Sequence, residues 1–295
     1  MADISGVVRI ISSNDKVLPP SLDIRNKLEE KHPPPLHKIC LPPSCESPSL
    51  LCTKDEVKTT IKSFKPGSAG GPDGFLPRHL LDMTLEELGE PAVKLIEALR
   101  DFLNKIMYPG KVRTQICATF YGANLIALSK LCGVIRPIPI GFTLRHLAGK
   151  VVMKKTYGKC KEIAFPNQLG VGTPKGAESA VHAIRSYIQN EESTGKVILK
   201  VDFKNAFNQI SRNVALRKIK NAVPDIYPFI YQCYPKSSSL FYGGIYKINS
   251  REGIQQGDPL GPFLFSLATM DLIESCKIEL KVFLTTEHWE VTLTQ

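Results

Sequence analysis

The chain has 295 residues, of which 43% are hydrophobic, so it can bury the core of one large domain or of two ordinary ones. Lys and Arg number 38 against 28 Asp and Glu, which gives a formal net charge of +10 and favours phosphate-rich partners without requiring them. No apolar stretch is long enough for a membrane span, and the N-terminus has no signal-peptide layout. We therefore expect an intracellular protein, nuclear or cytoplasmic, that is not secreted.

The eight cysteines are scattered and include no Cys-x-x-Cys pair. The group that runs from His37 to Cys52 fits the spacing of no standard zinc finger and has proline-rich flanks, so a structural metal is disfavoured there. Scattered single cysteines indicate reduced thiols, in agreement with an intracellular compartment.

Residues 1–52 are predicted to be an N-terminal extension and a proline-rich linker. The stretch "KHPPPLHKICLPPSCESPS" holds too many prolines for a helix or a central strand. Compact structure is predicted to begin near Thr53, because Thr53 and Glu56 form a capping-box pattern at the start of "TKDEVKTTIKSF".

Residues 65–190 alternate between turn-forming and periodic stretches. The turn formers of "KPGSAGGPDGFLP" precede a helical pattern in "LEELGEPAVKLIEALRDFLNKIM". The stretches "ATFYGANLIALSK" and "GVIRPIPIG" are predicted to pair as a hairpin around a short basic turn. Two helical stretches follow, "LRHLAGKVVMKKTYGKC" and "GAESAVHAIRSYIQNE".

The apolar run in "KVILKVDF" is predicted to be a buried strand that ends at Asp202. A carboxylate held at the end of a rigid strand is well placed to bind a divalent cation. The alternative is that Asp202 caps the helix that follows, and position alone favours this simpler role.

The stretch "LFYGGIYKI" is predicted to be a strand that leads through a polar turn into "QQGDPLGP" and a helix. Asp258 as N-cap and Pro259 in the first turn make a good helix start, which explains most of this pattern. A helix start does not explain why Gln255 and Gln256 lead into the turn, where their amides could contact a ligand.

Two cations, Lys130 and Arg136, lie on opposite limbs of the predicted hairpin. Together they could grip a triphosphate, Arg136 through paired hydrogen bonds and Lys130 as a point charge. Considered alone, both residues are more simply explained as solvated surface charges.

These stretches become specific when they are taken together and in order. They closely resemble five ordered blocks of the reverse transcriptase domain of non-LTR, LINE-like retrotransposons: "KPGSAGGPDGFLPRHL", "LIALSKLCGVIRPIPIG", "QLGVGTPKGAESAVHAIRSYI", "VILKVDFKNAFNQISRNVAL" and "SREGIQQGDPLGPFLFSLA". The resemblance covers residues 53–283. It implies a right-hand polymerase fold of the α+β class, with fingers and part of the palm in residues 53–200, the palm core in 201–283, and no thumb in this chain.

The resemblance also implies roles for individual residues. Asp202 would coordinate both Mg²⁺ ions of a two-metal nucleotidyl transfer, and the backbone carbonyl of Phe203 would assist at one of them. Phe207 would act as a steric gate, because its ring fills the space that a ribose 2′-hydroxyl needs. From its position alone, Phe207 would be a residue that packs in the core, because it lies on the helix that follows the strand.

The remaining implied roles concern substrates. Gln256 would contact the incoming nucleotide, Arg136 would hold its triphosphate, and Lys130 would be a second triphosphate contact. The implied activity is template-directed DNA synthesis on an RNA template and a DNA primer, from deoxynucleoside triphosphates. The basic excess of the chain fits such a template–primer cleft.

The C-terminal stretch departs from this family. "ELKVF" matches the strand that leads into the family's aromatic-x-Asp-Asp turn, but "LTTEHWEV" follows it and no Asp-Asp pair comes after Phe283. The codons of residues 284–291, read one nucleotide out of frame, can encode Leu-Asp-Asp-Gly-Thr-Leu-Gly-Gly. We therefore hypothesise that residues 284–295 are a frameshifted tail.

This departure bears on activity. A lone Asp202 cannot hold two Mg²⁺ ions close together, so the sequence predicts a truncated domain with negligible polymerase activity. One alternative is a non-catalytic fragment that binds nucleic acid. Another is a chain that does not fold stably, because its palm sheet would keep an exposed edge.

Overall fold

The structure, a computed structural model, describes residues 16–39, 50–108, 112–129, 133–166, 168–189, 198–234, 236–275 and 290–294. Its helices are α1 (Leu22–Glu30), α2 (Lys54–Ile61), α3 (Pro77–Met83), α4 (Glu90–Met107), α5 (Thr114–Phe120), α6 (Thr143–Ala164), α7 (Gly176–Gln189), α8 (Ala206–Gln209), α9 (Arg212–Ala222), α10 (Tyr227–Cys233) and α11 (Gly261–Ser275). Its strands are β1 (Lys16–Val17), β2 (Ala123–Ser129), β3 (Ile135–Gly141), β4 (Ile198–Asp202), β5 (Ser238–Tyr242), β6 (Tyr246–Ser250) and β7 (Glu290–Thr294). The fold is therefore mixed, with sheets and many helices.

The larger sheet is organised around β2. Strand β3 pairs with β2 along its whole length, from Ala123 opposite Gly141 to Ser129 opposite Ile135, which confirms the predicted pairing of the two stretches. The first strand is shorter than predicted, because residues 118–120 belong to helix α5. On the other edge of β2, β5 pairs in parallel with its first residues and β1 pairs antiparallel with its last ones. Strand β6 continues the sheet beyond β5.

Most of the core lies among the helices. Apolar side chains of α2, α4, α6, α9, α10 and α11 form one buried cluster, in which Leu103, Leu147, Leu216 and Phe263 are almost fully shielded from solvent. None of the helices in the described ranges combines the length and the apolar composition that a membrane span requires. This cluster joins the helix that follows the β2–β3 hairpin to the helix that follows the "QQGDPLGP" turn, so it fixes the two relative to each other.

Strand β1 and helix α1 lie inside the stretch predicted to be an extension and linker, although compact structure was predicted to begin near Thr53. Ser21 caps α1 by accepting a hydrogen bond from the Ile24 amide at 3.3 Å, and Leu28 is fully buried against the sheet. Leu28 is the only buried residue of α1, so this helix needs few apolar residues and its sequence pattern is weak. The predicted capping box at Thr53 and Glu56 is confirmed at the start of α2.

The stretch "LFYGGIYKI", predicted to be one strand, is instead the hairpin of β5 and β6. Gly243 and Gly244 have φ angles of 61° and 73°, positive values that glycine adopts readily, and with Ile245 they form the three-residue turn between the paired residues Tyr242 and Tyr246. The single-strand prediction was wrong because the apolar residues on both sides of the glycines continue one run.

The strand predicted to end at Asp202 is β4. It pairs antiparallel with β7 in a separate two-stranded sheet, where Asp202 is opposite Glu290. The predicted strand "ELKVF" lies outside the described residues.

Candidate active site

Two of the predicted ligand contacts meet at one point. Gln256 lies in the turn before α11, and in the amide orientation that satisfies both of its ends its oxygen accepts from Arg136 Nη2 at 3.1 Å while its nitrogen donates to the Pro137 carbonyl at 3.2 Å. Arg136 belongs to β3 and is exposed, whereas Gln256 is half-buried. The turn therefore lies directly against the β2–β3 hairpin, with a solvent-facing guanidinium beside it.

A buried ion pair holds this turn in place. Arg145, near the start of α6, contacts Asp258 with 2.6 Å between Nη2 and Oδ2, and the two side chains are 3% and 6% exposed. The Tyr234 hydroxyl donates to the same carboxylate oxygen at 2.6 Å, and the other carboxylate oxygen accepts from the Leu260 amide at 2.9 Å. Arg145 also donates to the side-chain oxygen of Gln255. The helix begins at Gly261, so the prediction of Asp258 as N-cap and Pro259 as first helical residue was wrong: Asp258 instead accepts from the Leu260 amide in the turn before α11 and carries the charge that a buried arginine needs.

The electrostatics of this network follow from its burial. Burial by itself lowers the pKa of Arg145, but the carboxylate of Asp258, followed by nearby tyrosine and cysteine side chains, leaves that pKa raised. Burial, and then the charge of Asp258, raises the pKa of Tyr234 well above its usual value, so its hydroxyl stays protonated and can donate. The sequence offered no signal for Arg145, because a single arginine in a helical stretch resembles a surface residue.

Phe207 lies beside the same turn. It is half-buried in α8, its ring centroid is 5.2 Å from that of Phe265, and its carbonyl accepts a hydrogen bond from the Ile254 amide at 2.6 Å. Gly253 has a φ of 75°, and a Cβ atom there would lie 2.4 Å from the Phe207 carbonyl oxygen. Only glycine therefore fits the close approach between the two segments.

Asp202 and Phe203 stand immediately before this segment. Asp202 ends β4, and Phe203 follows it with a half-buried side chain. The donors predicted for Mg²⁺, a carboxylate and a backbone carbonyl, are oxygen ligands of the kind that this ion prefers, so they fit it in type. Across the described ranges, no group of three or more His, Cys, Asp and Glu residues is arranged to hold a metal ion. Lys130, the remaining predicted residue, lies outside the described residues.

A basic cavity of about 660 Å³ adjoins the turn on its other side, between α6 and the segment that follows α2. Lys150 and Lys154 line it together with Gly257 and Pro259. The Lys150 amine donates to the Ser63 carbonyl at 3.2 Å, and no carboxylate among the described residues pairs with either lysine. The cavity therefore concentrates positive charge next to Gln256.

The ionisation of Lys150 reflects this crowding. Burial, and then the positive charges of Lys154 and Lys65, lowers the pKa of Lys150. The two α6 lysines are held in position, since the Lys154 amine donates to the Thr59 carbonyl at 3.1 Å. An anion in the cavity would relieve the repulsion between these cations. Sequence reasoning did not single out this cluster, because its members come from elements that only the fold brings together.

Comparison with known proteins gives consistent matches. A family model described as reverse transcriptase (RNA-dependent DNA polymerase) matches residues 130–286. The chain is similar to the retrotransposable element SLACS 132 kDa protein of Trypanosoma brucei gambiense, at 25% identity over 77% of this chain and 19% of that protein.

Two further relatives are retrovirus-related Pol polyproteins from type-1 retrotransposable elements. The polyprotein of element R1 from Bradysia coprophila is 21% identical over 79% of this chain and 22% of its own length. That of element R2 from Popillia japonica is 24% identical over 75% of this chain and 30% of its own length. The chain thus spans less than a third of each of these relatives.

Proposed function

The chain belongs to the reverse transcriptase (RNA-dependent DNA polymerase) family, as the domain found in non-LTR retrotransposons, and we propose that its site binds a deoxynucleoside triphosphate for template-directed DNA synthesis. The observation that carries this proposal is the contact between Gln256 and Arg136. Two residues from blocks far apart in the sequence, both of which the family resemblance assigns to the incoming nucleotide, lie within hydrogen-bonding distance.

The guanidinium of Arg136 has the chemistry for this role. It offers five N–H donors, and one contact to Gln256 leaves the others for phosphate oxygens. Its exposure leaves room for a charged ligand, while the Arg145–Asp258 pair fixes the turn that carries Gln256. In this proposal Lys130 supplies a second triphosphate contact.

Phe207 is proposed as the steric gate that selects deoxyribose. Its ring packs on Phe265, and its backbone is bonded to the segment that leads to Gln256. Moving a ring that is packed in this way costs free energy, because well-packed side chains resist displacement. The ring would therefore exclude the 2′-hydroxyl of a ribonucleotide.

The proposed layout is that of a right hand. Residues 53–200 form the fingers with part of the palm, residues 201–283 form the palm core, and residues 284–295 are a frameshifted tail. The β2–β3 hairpin would then be the part of the fingers that approaches the nucleotide, and β4 the palm strand that presents Asp202.

Mg²⁺ is the proposed cofactor. Asp202 and the Phe203 carbonyl would hold it, and when bound it would supply charge stabilisation at the primer 3′-hydroxyl and the leaving pyrophosphate. The chain contains no adjacent pair of aspartates, so it lacks the second carboxylate group of a two-metal site. We therefore propose that this copy binds its substrates but has negligible polymerase activity.

A nucleotide-binding measurement tests the proposal at Arg136. Equilibrium dialysis with a Mg²⁺-bound deoxynucleoside triphosphate should show that Arg136→Ala weakens binding about ten-fold or more, because hydrogen bonds to charged groups contribute about 1.5–3 kcal/mol each. Arg78→Ala, which removes an exposed arginine paired with Asp82, is the matched control and should leave the affinity unchanged. Equal affinity for the wild-type chain and both variants would contradict the proposed site.

The second candidate function is a non-catalytic nucleic-acid-binding fragment, and the basic cavity beside Gly257 favours it. The wild-type chain should bind single-stranded RNA with an affinity that falls steeply with salt, yet show no Mg²⁺-dependent primer extension. The double variant Lys150→Gln/Lys154→Gln should reduce the slope of log affinity against log salt by about 1.4, since each phosphate contact to a single strand contributes about 0.7. Lys94→Gln on α4 gives a control with an exposed, ion-paired lysine. Measurable nucleotide incorporation would instead show an active polymerase.

A further inference from the structure

Residues 16–39, predicted to be extension and linker, contact the segment that follows Asp202. We call these residues the brace. The carbonyl of Lys31, just after α1, accepts a hydrogen bond from Asn205 Nδ2 at 2.8 Å. This bond joins residues far apart in sequence, and Asn205 stands between Asp202 and Phe207.

Asn205 has an unusual backbone conformation. Its φ and ψ are 56° and 35°, in the left-handed region, and it directly precedes α8. Asparagine tolerates this region better than most residues with a side chain, but the conformation still needs support. The Asn205 side-chain oxygen accepts from Asn208 Nδ2 at 2.9 Å, so both ends of its amide are engaged.

The brace is itself fixed to the body of the protein. Leu28 of α1 is fully buried against the sheet, and the Tyr242 hydroxyl donates to the Pro19 carbonyl at 3.0 Å. A second side-chain bond runs from Asn213 Nδ2 to the Lys38 carbonyl at 3.1 Å. Lys31 therefore offers a carbonyl at a defined position.

The short helix α8, which carries Phe207, and the residue before it are therefore held from two sides. On one side the Ile254 amide donates to the Phe207 carbonyl, and on the other side Asn205 is tied to Lys31. The first contact belongs to the proposed nucleotide site, whereas the second lies outside it.

We propose that Asn205 is a positioning residue, which uses the brace to fix the Phe207 ring and so sets the preference for deoxyribonucleotides over ribonucleotides. This inference rests on the proposed function of Phe207 and goes beyond it, because it assigns the accuracy of the gate to a residue outside the nucleotide site. The bond from Asn205 to Lys31 adds a restraint that the contacts of Phe207 itself do not supply.

Two substitutions at Asn205 separate the contribution of its hydrogen bond to Lys31 from that of its left-handed backbone conformation. Asn205→Asp keeps the acceptor for Asn208 and the tolerance for a left-handed backbone, but it lacks the N–H that donates to Lys31. Asn205→Gly keeps the backbone freedom, adds no charge near Asp202 and removes both side-chain bonds. Asn213→Asp makes the same chemical change at another asparagine that donates to a brace carbonyl and serves as the control.

The experiment measures the affinities of the full chain for a deoxynucleoside and a ribonucleoside triphosphate, with primer–template and Mg²⁺ present. Both Asn205 variants should lower the ratio of the two affinities about five-fold, the range that one hydrogen bond supports, while Asn213→Asp leaves it unchanged. A general loss of structure would weaken both affinities together and leave the ratio intact.

The outcomes are distinguishable. A wild-type preference that both Asn205 variants retain would overturn the positioning role alone and leave the proposed nucleotide site standing. A wild-type chain that binds the two nucleotides equally would overturn the gate at Phe207 and, with it, the role of Asn205.

Discussion

Asp258→Asn should lower the free energy of unfolding more than the same substitution at an exposed aspartate. The change is nearly isosteric and keeps an oxygen for the Leu260 amide, but it removes the charge that pairs with Arg145 at 2.6 Å. Because Arg145 is 3% exposed, water cannot replace the lost carboxylate. Removing one partner of a buried pair costs about 3–5 kcal/mol in the free energy of unfolding.

The structure places the expected loss toward the lower end of that range. Arg145 keeps a bond of 3.0 Å to the Tyr121 carbonyl and another to Gln255, which solvate part of its charge. A loss of about 3 kcal/mol corresponds to a melting temperature roughly 6 °C lower for a chain of this size. Urea unfolding followed by circular dichroism measures the free energy directly.

A matched control and a double variant complete the design. Asp271→Asn removes the acidic partner of Lys218 on the exposed face of α11, where the pair contributes about 1 kcal/mol or less. Arg145→Gln combined with Asp258→Asn should be less destabilised than the sum of the two single changes, since the double variant leaves no unpaired charge. If Asp258→Asn costs no more than Asp271→Asn, or if the two changes are additive, the buried pair does not hold the turn as described.

Three further predictions concern a glycine, a histidine and the C-terminal codons. Gly253→Ala should lower the free energy of unfolding by several times the roughly 1 kcal/mol that Gly244→Ala costs, because both glycines have positive φ but only Gly253 lies against the Phe207 carbonyl. Urea unfolding of the two variants measures both losses, and equal losses would contradict the close approach. Burial, and then the charge of Arg145, lowers the pKa of His146 to about 4, so the stability that neutral His146 contributes is complete above about pH 6.5 and is lost as the pH falls toward 4. Unfolding measured at pH 7 and pH 5 should show a smaller difference for His146→Gln than for the wild type, with His182→Gln as the exposed control, and an unchanged difference would count against a lowered pKa at the half-buried His146. Finally, the genomic codons of residues 284–291 should read Leu-Asp-Asp-Gly-Thr-Leu-Gly-Gly after a one-nucleotide insertion, and codons that cannot do so would end the frameshift hypothesis.

The sequence predicted the parts of the site that carry local signals. Gln256 and Arg136 were assigned from the resemblance of the turn and the hairpin that present them, and the structure brings the two side chains into contact. The strand ending at Asp202 was evident from its apolar run. Arg145 was missed because its partner Asp258 is distant in sequence, and nothing in either neighbourhood marks the pair. An ion pair between residues far apart in the chain produces no periodic pattern in the sequence.

The brace was missed for a different reason. Helix α1 buries only Leu28, so its sequence lacks the apolar stripe by which amphipathic helices are recognised. The prolines on both sides of α1 led to the prediction of an extended chain. They flank the helix, however, and leave its nine residues free to fold between them. The bond from Asn205 to the Lys31 carbonyl involves a main-chain acceptor that every residue possesses, so composition cannot indicate it.

The shared edge of β2 has a consequence for how the chain folds during synthesis. Its parallel pairing with β5 must wait until residue 242 has left the ribosome, whereas β1 is synthesised before β2 and β3 follows β2 within a few residues, so both antiparallel partners are available earlier. Distant parallel pairs form slowly, and an unpaired strand edge invites association with other chains. By covering Leu128 and Ser129 early, β1 shortens the stretch of β2 that is left open to a neighbouring nascent chain. Strand β1 would then confine the open edge of β2 to its first residues until β5 pairs with them.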